Sequence, residues 1–170
     1  MISTNLKGTI RIMDIMCSSA VDGEGFRDVL FVNYCPHHCK GCHNPESWDV
    51  ENGRVVPLSE VYENLTKSRI TNITYSGGEP FCQADELIAL TKEIKENTNK
   101  TVWIYSGYLF EDIIKDEKKK QLLSMCEVLV DGRFEEDKKE LNLRFKGSTN
   151  QRIIDVQKSL KEKKIILFDR

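Results

Sequence analysis

No apolar run in the 170-residue chain approaches the ~20 residues that a membrane-crossing helix needs. The opening residues, "MISTNLKGTIRIMD", lack the uninterrupted apolar segment and small-residue cleavage site of a signal peptide. Charge of one sign is also missing. Lys and Arg number 25 against 27 Asp and Glu, for a formal net charge of −2. No basic field of the kind nucleic-acid binders carry is therefore expected. Charged runs such as "KDEKKK" (115–120) and "FEEDKKE" (134–140) are mixed in sign and read as solvated faces. Repeats, Pro/Gly/Ser linkers and low-complexity tracts are absent. With 39% hydrophobic and 31% charged residues, the composition suits a soluble globular protein. One domain over residues 1–170, in the cytoplasm, with neither membrane nor nucleic acid as partner, is the expectation. In that compartment the six cysteines read as thiols or metal ligands rather than disulfides.

The cysteines are not evenly spread. Cys17, Cys82 and Cys126 are scattered and read as small hydrophobes without a function. Cys35, Cys39 and Cys42 share the segment "VNYCPHHCKGCHNPESWD" (32–49), with three and then two residues between them. A structural zinc site is tetrahedral and usually built from two short ligand pairs. Here His37, His38 or His43 would have to supply the fourth ligand. A cubane iron–sulfur cluster usually takes four thiolates. Three on one tight loop bind three corners and leave the fourth iron open, where a substrate can bind. Three buried thiols without a metal would be a poor core segment beside Pro, Lys, Gly and two His.

Short β-type runs alternate with amphipathic ones along the chain. Strands are expected at "TIRIMDI" (9–15), "DVLFVNY" (28–34), "ITNITY" (70–75), "TVWIY" (101–105), "EVLVD" (127–131) and "QRIIDV" (151–156). Helical spacing marks "PLSEVYENLTKS" (57–68), "ADELIALTKEIKEN" (84–97) and "LFEDIIKDEKKKQLLSM" (109–125), the last with a break in its charged middle. The tail "KSLKEKKIILFDR" is ambiguous. This alternation predicts an α/β fold: a mostly parallel sheet with crossover helices. The chemical candidates follow strands: Cys35 to Cys42, then "SGGEP" (76–80), "SGY" (106–108) and "DGRF" (131–134). In a barrel-like parallel sheet such ends share one face. Four or five units are too few for a closed eight-fold barrel, so an open, partial barrel is expected.

The C-x3-C-x2-C spacing resembles that of the radical S-adenosylmethionine enzymes. "SGGEP" resembles the glycine-rich motif of that superfamily; its glycines let backbone approach a ligand closely. By itself the same stretch reads as an ordinary strand-to-helix turn. Beyond these two motifs, "DGEGFR" (22–27), "CKGCHNPESW" (39–48), "WIYSGY" (103–108), "VLVDGRF" (128–134) and "FKGSTNQRIID" (145–155) resemble the activating enzymes of anaerobic (class III) ribonucleotide reductase, in the same order. The likeness runs from about residue 10 to residue 156. It leaves the tail uncovered, and a second cysteine-rich insert found in some other glycyl-radical activases is missing.

The resemblance implies a [4Fe-4S] cluster on Cys35, Cys39 and Cys42. It implies S-adenosylmethionine contacts from Gly41, Cys42, His43, Gly77, Gly78 and Glu79, and from Ser106, Gly107 and Asp131. Asn150 and Gln151 would line the mouth where the reductase's glycine-bearing segment enters. The implied partners are the large subunit of the reductase and reduced flavodoxin or ferredoxin. The alternatives are an activase of pyruvate formate-lyase or another glycyl-radical enzyme, and a zinc-stabilised binding module. Trp48 and Trp103 read as packing residues; Tyr105 and Tyr108 suit adenine stacking or a core or rim position.

Overall fold

The computed structural model describes residues 6–169. Its strands are β1 (Thr9–Ser19), β2 (Arg27–Val32), β3 (Arg54–Pro57), β4 (Asn72–Gly77), β5 (Val102–Tyr105), β6 (Val128–Asp131) and β7 (Arg152–Asp155). They form one open seven-stranded sheet in the order β3-β1-β2-β4-β5-β6-β7. The α-helices are α1 (Leu58–Thr66), α2 (Ala84–Asn97), α3 (Phe110–Ile113), α4 (Glu117–Ser124) and α5 (Val156–Glu162).

The expected parallel sheet holds for its centre. β2, β4, β5 and β6 run parallel, while β1, β3 and β7 are antiparallel to their neighbours, so half of the six pairings are antiparallel. Connection length explains the difference. A parallel neighbour needs a crossover of a dozen or more residues, usually a helix. Residues 20–26 are too few for one, so β2 folds back on β1. Residues 132–151 contain no α-helix, and β7 folds back on β6. β3 and α5 escaped the sequence reading. β3 is four residues long, and α5 starts at the cap of an unreadable tail: Asp155 accepts from the Lys158 amide.

Alternation along the strands separates two faces. Leu30, Tyr75, Ile104, Leu129 and Ile154 stand in register across β2, β4, β5, β6 and β7, and all are fully buried. Over them lie Val61 and Leu65 of α1, Leu87, Leu90 and Ile94 of α2, and Leu122 and Leu123 of α4. Each large apolar side chain buried this way contributes about 1.5–3 kcal/mol. The helical spacing of α2 supplies its half of that contact. The helix then stops at Thr98, whose amide and hydroxyl both return to the Ile94 carbonyl. The predicted break in the third helical run falls between α3 and α4, where Asp116 caps α4 by accepting from the Lys119 amide.

On the opposite face Trp103, Val128 and Val130 form a smaller apolar cluster with Tyr105, Phe145, Ile153 and Phe168. Loops rather than helices cover it. One is the turn carrying "DGEGFR". Arg27 is buried there, donating to Thr74 Oγ1 and the carbonyls of Glu24, Ile73 and Thr101, with its guanidinium 5.3 Å from the Trp103 ring. Burial lowers the Arg27 pKa to about 10. The tail returns beside β7, with Phe168 donating to the Ile153 carbonyl and packing on Trp103. What the loops leave open is a cavity at the C-terminal ends of the parallel strands.

Candidate functional site

Strand β2 ends at Val32, and the cysteine loop starts at once. Tyr34 and His38 take positive φ values of 77° and 48°, a left-handed conformation unusual outside glycine. Such backbone costs about 1–3 kcal/mol per residue and persists only where neighbours hold it. Here the Tyr34 amide donates to the Ser47 carbonyl, and the Tyr34 carbonyl accepts from the Glu79 amide. The loop leaves Cys35, Cys39 and Cys42 each half-buried.

All three line a cavity of about 530 Å³. One of the sulfurs receives a backbone N–H group: the Asn44 amide donates to Cys42 at 3.4 Å. Burial pushes the Cys35 thiol up to about 11, against a smaller opposing pull from the neighbouring His37 and His38 backbone. Binding a metal there releases the proton. Among the described residues no three His, Cys, Asp or Glu groups converge on a point where one metal ion would sit. The thiols stand apart around the cavity wall.

The glycine-rich stretch lies beside the loop because β4 pairs with β2. Gly77 is in register with Val32, and the Gly78 amide continues the ladder to the Val32 carbonyl. A Cβ on Gly77 would lie 2.6 Å from Val32 backbone atoms, and one on Gly78 would lie 2.2 Å from the Tyr34 carbonyl oxygen. These glycines first allow two backbones to touch. They also line the cavity, as do Ser76, Ser106, Gly107, His43 and Gln151.

Three expected contacts are not in that lining. Gly41 has a φ of 72°, and a Cβ there would meet the Glu136 carboxylate at 2.8 Å, outside the cavity. Asp131 is fully buried, accepting from Arg152 and from the Phe110 amide at the start of α3. Glu79 is also fully buried. It accepts from Phe81 N at 3.0 Å, Ser106 Oγ at 3.0 Å, Gly107 N at 2.9 Å and His37 Nε2 at 2.7 Å. Glu79 and Asp131 act from behind the wall, whereas Gly41 is exposed. The lining also omits Asn150, which donates to the Arg133 carbonyl. Gln151 bridges the loop, donating to the Gly132 carbonyl and accepting from Gly147 N.

A protein matching this sequence order is found elsewhere. Residues 21–154 match the family described as "4Fe-4S single cluster domain". The anaerobic ribonucleoside-triphosphate reductase-activating protein of Enterobacteria phage T4 is 36% identical over 139 residues, which cover 78% of this chain and 86% of the relative. Its counterpart in Pasteurella multocida strain Pm70 is 36% identical over 141 residues, 77% of this chain and 88% of the relative. That of Escherichia coli K12 is 33% identical over 141 residues, covering 77% and 89%.

The chain belongs to the family of anaerobic ribonucleoside-triphosphate reductase-activating proteins.

For a member of this activating-protein family, the donor set at the cavity fits a thiolate-held iron–sulfur cluster. Its ligand candidates are all sulfur and line one cavity, and Cys42 already accepts an N–H group. The histidines are otherwise engaged: His37 with Glu79, His38 stacked on Trp48 at 4.7 Å and His43 against Phe134 at 5.1 Å. On the far wall of the cavity, the sequence reading took in Arg133 and Phe134 only as part of "DGRF", with no role given to either, and missed a role for Arg144 and Lys146. Cationic and aromatic interleaving in "GRF" and "LRFK" was the available signal. Cys126 is buried as expected, but Cys17 and Cys82 are exposed. No helix among the described residues is long and apolar enough to cross a membrane.

Proposed function

We propose that this chain is a radical S-adenosylmethionine enzyme of the cytoplasm that activates anaerobic ribonucleoside-triphosphate reductase by placing a radical on one of its glycines. The whole chain then acts as one open, partial barrel of that type. Cys35, Cys39 and Cys42 hold a [4Fe-4S] cluster whose fourth iron takes the methionyl end of S-adenosylmethionine. When bound and reduced by flavodoxin or ferredoxin, the cluster supplies one electron that cleaves the sulfonium to methionine and a 5′-deoxyadenosyl radical, which takes a hydrogen atom from the reductase glycine.

The chain's own residues bind and orient. The backbone at Gly77 and Gly78 offers N–H and carbonyl groups beside the cysteine loop. His43, Ser106 and Gly107 complete that wall. Arg133, Arg144 and Lys146 face it with positive charge, suited to a carboxylate. Phe134 and Phe145 narrow the mouth and exclude water.

One observation carries this reading. The cysteine loop and the glycine-rich turn are stitched to each other by the β2–β4 ladder and open on one cavity. Anaerobic reconstitution with iron and sulfide tests it. The expected product is brown, with roughly four irons per chain, and it bleaches on reduction. S-adenosylmethionine should then alter its spin-resonance signal and yield 5′-deoxyadenosine. A colourless protein with one zinc supports a binding module instead. Activation of a lyase but not the reductase would move the target to another glycyl-radical enzyme.

A further inference from the structure

Between the first two cysteines the loop carries Pro36, His37 and His38. Pro36 and His38 are exposed, whereas the His37 side chain points inward and is 4% exposed. Its ring is fixed on three sides. Nε2 donates to Glu79 at 2.7 Å. The ring meets Tyr108 edge-on at 4.5 Å between centroids. The third side is Gly107, where a Cβ would lie 2.4 Å from the ring.

Glu79 is fixed in turn. Its four donors come from His37, from Ser106 and Gly107 after β5, and from Phe81 after β4. A carboxylate has about four lone-pair sites, so this one has none left for a ligand. Along the chain His37 stands between two of the ligand candidates, Cys35 and Cys39, two residues from each.

We propose that His37 is a positioning residue: anchored through Glu79 to the ends of β4 and β5, it pins the loop between Cys35 and Cys39 and so governs how those two sulfurs meet the cluster. The proposal rests on the cluster assignment above. It assigns Glu79 to the same device and removes it from contact with S-adenosylmethionine. Solvent exposure is among the factors that set a cluster's potential, and the loop that His37 anchors covers part of the site. Groups that orient metal ligands from behind cost about 10–100-fold in metal affinity when lost.

The test uses the full chain, reconstituted anaerobically, as wild type, His37→Ala, His37→Gln and Glu79→Gln. Three quantities are read: iron retained against a chelator, the cluster's midpoint potential, and S-adenosylmethionine affinity. His37→Ala should retain the cluster about tenfold less well. Its potential should shift from the wild-type value, because a loop no longer held by Glu79 changes the cluster's solvent exposure. His37→Gln should recover most of both, since its amide can donate to Glu79. Glu79→Gln sets an amide donor among donors and should shift the potential as His37→Ala does. If His37→Ala does not fold, His37→Gln and Glu79→Gln carry the comparison alone. Wild-type retention and potential in His37→Ala and Glu79→Gln would overturn the proposal. So would a Glu79→Gln protein with an unshifted potential but weaker S-adenosylmethionine binding. A wild-type chain that takes up no iron overturns the cluster assignment and this proposal with it; an intact wild-type cluster beside unshifted variants overturns this proposal only.

Discussion

Gly78 has no side chain, and the place where one would begin is occupied by the Tyr34 carbonyl oxygen 2.2 Å away. Backbone cannot step aside as a flexible side chain can. Gly78→Val is therefore expected to push the cysteine loop itself and to cost about 2 kcal/mol or more in apo stability, in the range of overpacking. Denaturant unfolding of the apo protein checks this, and unchanged stability would mean that the two backbones do not touch. The sequence pattern had pointed to ligand approach as the reason for the glycine; contact between neighbouring strands comes first. The cysteines divide in the same residue-level way. Replacing Cys35, Cys39 or Cys42 by Ala should abolish iron retention and 5′-deoxyadenosine formation. Cys82→Ala should keep both, since Cys82 is exposed away from the cavity lining. Cys126 is fully buried, so Cys126→Ala should also keep both while losing about 1 kcal/mol of stability to a small cavity. Iron per chain measured across the series is decisive: a loop variant with a full complement would refute the ligand assignment.

Elements meet through charge as well as through apolar rows. Arg152 on β7 donates to both oxygens of Asp131 on β6, at 2.9 and 2.5 Å, and pairs with Glu111 of α3. Asp131 also caps α3 through the Phe110 amide. One carboxylate thus ties two antiparallel strands to a four-residue helix that is too short to stand alone. Arg152→Ala would strand Asp131 in the interior, and a loss of about 3 kcal/mol is expected in urea unfolding. Arg152→Lys should recover part of it, because a lysine keeps the charge but not the two-pronged geometry. A loss below about 1 kcal/mol in the alanine variant would show that the pair is solvated. The central strands and α1, α2 and α4 were legible in sequence, since apolar periodicity is local. The antiparallel return of β7 was not: direction depends on what lies between two strands, and residues 132–151 carry no helical period to reveal it.

At the scale of the whole molecule, the open face decides what can reach the cavity. Residues 143–147 and 132–134 form one side of its mouth. Asn150 holds this side together from outside the lining, donating to the Arg133 carbonyl. A bulky replacement, Asn150→Trp, should slow radical formation on the reductase while sparing uncoupled cleavage of S-adenosylmethionine. Both assays belong on the same anaerobic sample with dithionite as donor; a parallel fall would assign Asn150 to the cofactor's own wall. The sequence by itself determined that three cysteines share one loop, that a glycine-rich turn follows the next central strand, and that strands and helices alternate. Those features depend on spacing and on stereochemistry acting over a few neighbouring residues. The tertiary structure alone decided that Glu79 turns inward to His37, 42 residues away, and that Asp131 turns to Arg152, 21 residues away. In a linear sequence both acids look like ligand contacts, because each follows a strand and carries an unpaired charge. Only the folded sheet brings their donors within hydrogen-bonding reach, and a buried carboxylate must take the donors it is offered.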